Sequence, residues 1–394
     1  MGVARCPVCG MAVPGIGAGI PERNRVLNYG LLQPITRAGH WFVHSGIQDA
    51  SGGVARYYRA DSGRNHAVSS EITGYAASAF VYLHSLDREA PYQEGAVRAA
   101  RFLTRTAWDG AAHVLPFELE PPAFAYFFDC GITARGLLSA WRVTGEDEFL
   151  NVATAIGESM AADFAAGDGP YHAILALPGK QPVPPDPPRW SAAPGCYQLK
   201  AAMAWHDLAE ATGNSHFGEL YERAVDRALR VSSGFLPGHA DPQKVVDRLH
   251  AFLYFLEGLL PRSADARCAA AIREGVARVA RILRENKSGF ERCDVYAQLL
   301  RMRLYADWNG ALPLDREAAQ SEAAKLAGFQ ACGGVTQGVT QDDPRVEGGF
   351  YFGRKDGAIM PFVNPVSTAF ALQALALWER RGAGGDRPHR HLLI

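Results

Sequence analysis

The sequence predicts an all-α fold, an (α/α)6 toroid of inner and outer helices, on three observations. Nearly all-apolar helical stretches recur six times along the chain, and a helix apolar on most sides must be buried on most sides. One-sided amphipathic helices alternate with them. In 146–163, for example, Phe149, Ala153, Ile156 and Met160 keep helical spacing. The third observation is a recurring joint, Thr144-Gly145-Glu146-Asp147-Glu148-Phe149 and again Thr212-Gly213-Asn214-Ser215-His216-Phe217. Its glycine can end a helix in a left-handed conformation, and its polar residues can start the next one.

In chain order, residues 1–22 form a leader expected to be poorly ordered. Its pair Cys6 and Cys9 lacks the second knuckle of a structural zinc site, so no metal is expected. The stretch 24–38 supplies an outer helix that closes the ring, although Pro34 is expected to kink or end it. Inner helices follow at 69–86, 129–144, 196–212, 245–260, 293–307 and 366–381. Outer helices lie at 91–106, 146–164, 215–232, 264–285 and 315–330. Extended material is expected only in short loops such as 112–119 and 350–362. The proline-rich stretch 177–195 reads as stiff and irregular, and 331–361 as a long glycine-rich loop. A ring cannot be cut between its repeats, so 23–382 is expected to be one domain. The tail 383–394 has no periodicity and is expected to be disordered.

Composition narrows the function. The chain is 48% hydrophobic and 21% charged, with a formal net charge of −1. No global field draws it to nucleic acid or to an anionic membrane, and no apolar run is long enough for a membrane span. Seven cysteines form no disulfide framework. With no secretory leader in evidence, a cytoplasmic location is expected. Phosphate-loop, H-E-x-x-H and nucleophile-elbow motifs are absent.

In such a ring the inner helices start around one mouth, so polar groups at those starts are the candidate site. Glu71 and Asp129 begin neighbouring inner helices and are the candidate acid/base pair, with Asp294 a third candidate. Two carboxyls facing one cleft can carry glycosidic chemistry, one as acid and the other as base or nucleophile. Capping of free helix N–H groups explains any one such acid equally well. It does not call for Tyr75, Tyr197, Gln198, Arg248, His250, Tyr296 and Gln298 in the same first turns. These residues, with Trp190 and Tyr351 from adjoining loops, are the candidate substrate-binding set. A tyrosine or histidine among them could instead remove a proton beside a uronic-acid carboxylate. Further aromatics near the mouth, among them Tyr57, Tyr126 and Phe128, suit stacking on sugar faces and ordinary packing alike.

Three stretches carry a resemblance: 52–83, 128–153 ("FDCGITARGLLSAWRVTGEDEFLNVA") and 348–378. They resemble (α/α)6-toroid proteins of bacterial polysaccharide biosynthesis clusters. The helix-pair pattern is similar to that of six-hairpin glycosidases such as unsaturated glucuronyl hydrolases. The resemblance implies a catalytic aspartate at the start of an inner helix, at the position of Asp129. It also implies a carbohydrate substrate, no cofactor, and partners among polysaccharide-assembly proteins. Cys130 and Ile132 depart from the pattern, which has Thr and Gln there. The expected activity is a glycoside hydrolase acting on a poly- or oligosaccharide. Its rivals are a uronic-acid lyase or epimerase and a non-catalytic glycan-binding protein.

Overall fold

The computed structural model describes residues 29–167, 170–332 and 343–394. The expected leader, with Cys6 and Cys9, lies outside the described residues. Among those described, twelve α-helices alternate between two layers: α1 (Tyr29–His44), α2 (Ser70–Asp87), α3 (Ala90–Phe102), α4 (Phe127–Thr144), α5 (Asp147–Asp163), α6 (Leu199–Thr212), α7 (Ser215–Ser232), α8 (Pro242–Gly258), α9 (Ala266–Glu285), α10 (Cys293–Trp308), α11 (Arg316–Ala327) and α12 (Pro365–Gly382). Even-numbered helices are inner and odd-numbered ones outer. Each inner helix packs on the next, α2 on α4 and so on to α12, and α12 packs back on α2. The ring is therefore closed. Pro34 sits inside α1 without ending it, and α1 packs against α12 and α2 at the seam.

Local sequence explains the hairpins. Gly145 and Gly213 both adopt φ of 71°, and each N–H reaches back to the carbonyl of Trp141 or Ala209. That left-handed turn is cheap for glycine and frees the chain to reverse. Phe149 and Phe217 follow and are buried. The inner layer is drawn tight by small residues. A Cβ on Gly136 would stand 2.5 Å from the Gly74 carbonyl oxygen, and one on Gly131 would stand 2.4 Å from that of Ala201. Both are backbone contacts that a side chain cannot push aside.

Short strands cluster just before the inner helices: β1 (Tyr58–Arg59), β2 (Arg64–Asn65), β3 (Phe124–Tyr126), β4 (Ile174–Ala176), β5 (Gln181–Pro182), β6 (Phe290–Arg292), β7 (Gly353–Lys355), β8 (Ala358–Ile359) and β9 (Phe362–Val363). They pair antiparallel as β2-β1-β9, β3-β4-β5 and β6-β7-β8, with Tyr58 opposite Val363, Tyr126 opposite Ile174 and Arg292 opposite Gly353. Extended material was expected at 112–119, where no strand forms, and at 350–362, where β7, β8 and the start of β9 do; the strands before the other inner helices were not foreseen. At two or three residues each, the strands are too short to show a period.

The tail corrects a second expectation. Residues 383–394 were expected to be disordered, yet Leu393 and Ile394 are each 1% exposed. Arg135 of α4 donates to the Leu393 carbonyl, Gln373 of α12 to that of Leu392, and Lys200 of α6 and Arg301 of α10 to the backbone oxygen of Ile394. Donors from four inner helices converge on it, so the segment lies on the barrel axis. Lys200 and Arg301 are fully buried and share Glu257, with Lys200 Nζ 2.9 Å from its carboxylate.

Two outcomes are expected. Gly131→Val should lower the unfolding free energy by about 1–3 kcal/mol or more, read as a lower denaturant midpoint, because α4 and α6 must move apart. Removal of residues 390–394 should lower the melting temperature, because Lys200 and Arg301 lose acceptors at a dry site.

Candidate active site

The three small sheets rim the mouth onto which the inner helices open. Glu71 is the second residue of α2, and Asp129 the third residue of α4. Neither caps its helix: the residues preceding α2 and α4, Ser69 and Tyr126, make no side-chain cap, and no hydrogen bond to either carboxylate is formed among the described residues. Asp129 is 5% exposed, and its Oδ2 is buried without a partner. An unsatisfied buried carboxylate oxygen is costly, so the capping explanation loses its force here.

Electrostatics follow from that placement. Glu71 keeps a partly exposed edge, but protein surrounds its carboxyl, and burial raises its pKa to about 7 against the pull of Arg56. Burial also pushes Asp129 well above the ordinary carboxylate range, and the Glu71 charge pushes it further, again opposed by Arg56. The favourable field of helix N-termini is outweighed by desolvation and like charge. The pair is therefore set to hold a proton near neutrality, with the deeper Asp129 the better holder. Arg56 itself lies over the Phe117 ring and bridges to Glu118 at 3.3 Å.

A second polar cluster stands across the mouth. Arg292 forks onto both oxygens of Asp294, at 2.9 and 2.6 Å, and reaches Asp247 at 2.9 Å. Arg292 holds Asp294 ionised despite its burial, which makes it a poor proton donor. His250 Nδ1 lies 2.7 Å from Gln298 Oε1 and 3.5 Å from Asp294 Oδ2. Two oxygens on that side assign the proton to Nδ1 and leave the Nε2 lone pair open. Burial lowers the His250 pKa to about 4, so the ring is neutral at pH 7. One turn on, Tyr254 packs against His250 and Phe128, with its hydroxyl beside that of Tyr75. The Tyr75 hydroxyl is buried, with the Tyr254 hydroxyl as its polar neighbour. Trp190 stands edge-on to both Tyr197 and His250.

The remaining candidates turn elsewhere. Gln198 donates to the Tyr171 carbonyl and accepts from the Gly195 N–H, so both ends of its amide hold a loop. Tyr197 is 1% exposed, and its hydroxyl donates to the Ala193 carbonyl, 3.1 Å away. Tyr296 donates to Glu291, which is bound in turn by Lys325 of α11, so it faces the outer layer. Arg248 stacks on Phe235 and donates to its carbonyl. Tyr351 is buried beside β9. Sequence reasoning missed Arg56 and Tyr254. Tyr254 was findable as the residue four after His250 on one helix face. Arg56 carried no signal beyond its loop.

His206, Asp207 and Glu210 bring three potential metal-ligand atoms within 4.8 Å of one another. Arg135 and Arg390 bind Asp207 at 2.9 and 2.6 Å, and Arg390 also binds Glu210. Two guanidiniums there oppose a cation.

No family model and no curated sequence matches this chain. Solved structures do match it. A D-mannose isomerase superposes with a TM-score of 0.67 at 11% identity, covering 92% of this chain and 100% of that one. A cellobiose 2-epimerase from Spirochaeta thermophila gives 0.66 at 14% identity, over 91% and 98%. An unsaturated glucuronyl hydrolase specific for heparin gives 0.63 at 11% identity, over 89% and 97%. The chain shares their fold. The six-hairpin toroid expected from the sequence is thus the fold observed. No helix among the described residues is long and apolar enough to cross a membrane.

The raised pKa of Glu71 has a thermodynamic sign. Between the ordinary value of 4.5 and about 7, the folded protein keeps a proton that the unfolded chain has released. Stability therefore falls as pH rises through that window. Glu71→Gln should gain melting temperature relative to the wild type from about pH 4.5 to about pH 8. A difference that does not change with pH would refute the assignment.

Proposed function

We propose that this toroid is a carbohydrate-active enzyme of the glycoside hydrolase type, with Asp129 as the proton-donating acid and Glu71 as its partner base. The observation that carries this reading is the Asp129 carboxyl, buried, unpartnered at Oδ2 and raised in pKa, beside a second carboxyl raised to about 7. A protonated Asp129 gives its proton to the leaving oxygen of a glycosidic bond. An ionised Glu71, steadied by Arg56, takes a proton from water or meets the developing positive charge on the sugar ring. Helix N-termini around the mouth and the absence of capping bonds leave both groups available. Tyr75, Tyr254, Trp190 and the Arg292–Asp294 pair then shape the pocket that orients the ring. The matched structures, whose names include an unsaturated glucuronyl hydrolase, a sugar epimerase and a mannose isomerase, support a sugar as the substrate. Action on a poly- or oligosaccharide within an assembly system is part of the same proposal.

One observation favours a second reading. His250 is neutral, with Nδ1 tied to Gln298 and Nε2 open, the form required of a base that removes a carbon-bound proton in an epimerase or lyase. Two measurements separate the readings. For the hydrolase, Asp129→Asn should cut turnover of acidic and neutral oligosaccharides by about 10²–10⁴-fold while keeping the melting temperature. Turnover equal to that of the wild type would reject Asp129 as the acid. For the epimerase, product formed in deuterated water should carry deuterium at the inverted carbon; for the lyase, the product should instead carry a new carbon–carbon double bond, read by its ultraviolet absorbance; His250→Asn should abolish either signal.

A further inference from the structure

A second feature of the mouth is not used by the chemistry above. Tyr57, Phe352, Phe362 and Asn364 line a cleft of about 280 Å³ on the α12–α2 side. That is close to the lower end of the roughly 300–1,000 Å³ range of small-ligand clefts. All three rings are only partly buried, unlike the neighbouring Tyr58, Phe350 and Tyr351, which lie in the core. The surroundings hold the rings in place. Tyr57 and Phe362 meet edge to face at 5.3 Å, and Arg59 lies over Phe362 at 5.1 Å. Phe352 packs beneath the Arg292 guanidinium at 4.7 Å. Tyr57 also lies against the His66 ring at 4.7 Å, so each ring is held on one side, and a ring so fixed can stack through its other face without losing further side-chain freedom.

The cleft is joined to the candidate active site through bonds already described. Arg292, over Phe352, also grips Asp294 beside His250. Tyr57 follows Arg56, the cation that acts on Glu71 and Asp129. Asn364 opens α12, the neighbour of α2 in the ring, and spends its Oδ1 on the N–H groups of Val366 and Ser367. Among the described residues its Nδ2 donates no hydrogen bond, and neither does the Tyr57 hydroxyl. An apolar slot with two uncommitted polar groups at its edge matches a pyranose, which offers apolar C–H faces and a rim of hydroxyls.

Building on the carbohydrate reading, we infer that this cleft is a second sugar subsite, so that the substrate is an oligosaccharide whose next ring stacks on Tyr57 and Phe362. The test uses Asp129→Asn protein, alone and combined with Tyr57→Ala or Phe362→Ala. Calorimetry measures its binding to two ladders of one to four sugars, cello-oligosaccharides and oligogalacturonides. On one ladder, affinity should climb about three- to tenfold from the single sugar to the disaccharide or trisaccharide. Each added substitution should bring that ratio towards one, with a melting temperature that shows the fold intact. An unchanged ratio in both double variants overturns the inference and leaves the carbohydrate reading standing. Binding of single sugars with no gain on lengthening does the same. Failure of the singly substituted protein to bind any member overturns both.

Discussion

Arg301 lies near the barrel axis with its guanidinium stacked on Phe370 at 4.0 Å and bound to Glu257, Gln373 and the backbone of Ile394. Aliphatic side chains could in principle fill the axis of a closed ring of inner helices. Here the lower axis is filled by charge instead: Lys200, Glu257, Arg301 and the tail that they hold. A fully buried ion cluster contributes little net stability over an apolar plug, since desolvation offsets attraction. It does demand one register, because every donor must meet its acceptor. That register fixes where Tyr254, Phe370 and Tyr75 stand one layer higher, and these make the floor on which Glu71, Asp129 and His250 rest.

The same low dielectric that makes the lower cluster exacting also makes the upper layer reactive. Below, each charge has an opposite partner, and Glu257 is held ionised by Arg301 and Lys200. Above, Asp129 has an open oxygen and a like-charged neighbour, and its pKa moves the other way. Asp294 shows that the mouth can pair a carboxylate when pairing is wanted, for Arg292 occupies both its oxygens. The contrast between Asp129 and Asp294, both first-turn acids of inner helices, lies in their neighbours and not in their place in the fold.

How much of this could be read from the chain depends on whether the deciding contacts are local. The hairpins could be, because Thr144-Gly145 and Thr212-Gly213 carry their own turn chemistry and Phe149 and Phe217 their own burial. Pro34 misled only slightly, since an outer helix packed at the seam continues past it. The site was legible as a ring of helix starts, but not in its directions. Position near an N-terminus says nothing of where a side chain turns, and Gln198, Tyr197 and Tyr296 turn to loops or to the outer layer. The tail was illegible for a related reason. Its few apolar residues show no period, and its partners lie up to 258 residues away, as Arg135 and Leu393 do.

The seam between α1 and α12 has a consequence for how the molecule is made. The earliest described helix finds its main partner in the last one, and the axis closes only on the segment after that. A growing chain leaving the ribosome can form its hairpins one by one, but each successive inner helix emerges with a flank uncovered. Until α12 arrives, the partial ring is an open arc with apolar edges, the kind of surface that chaperones shield. Synthesis and closure are thus separate events, and the mouth that gathers Glu71, Asp129 and His250 comes into being only at the second.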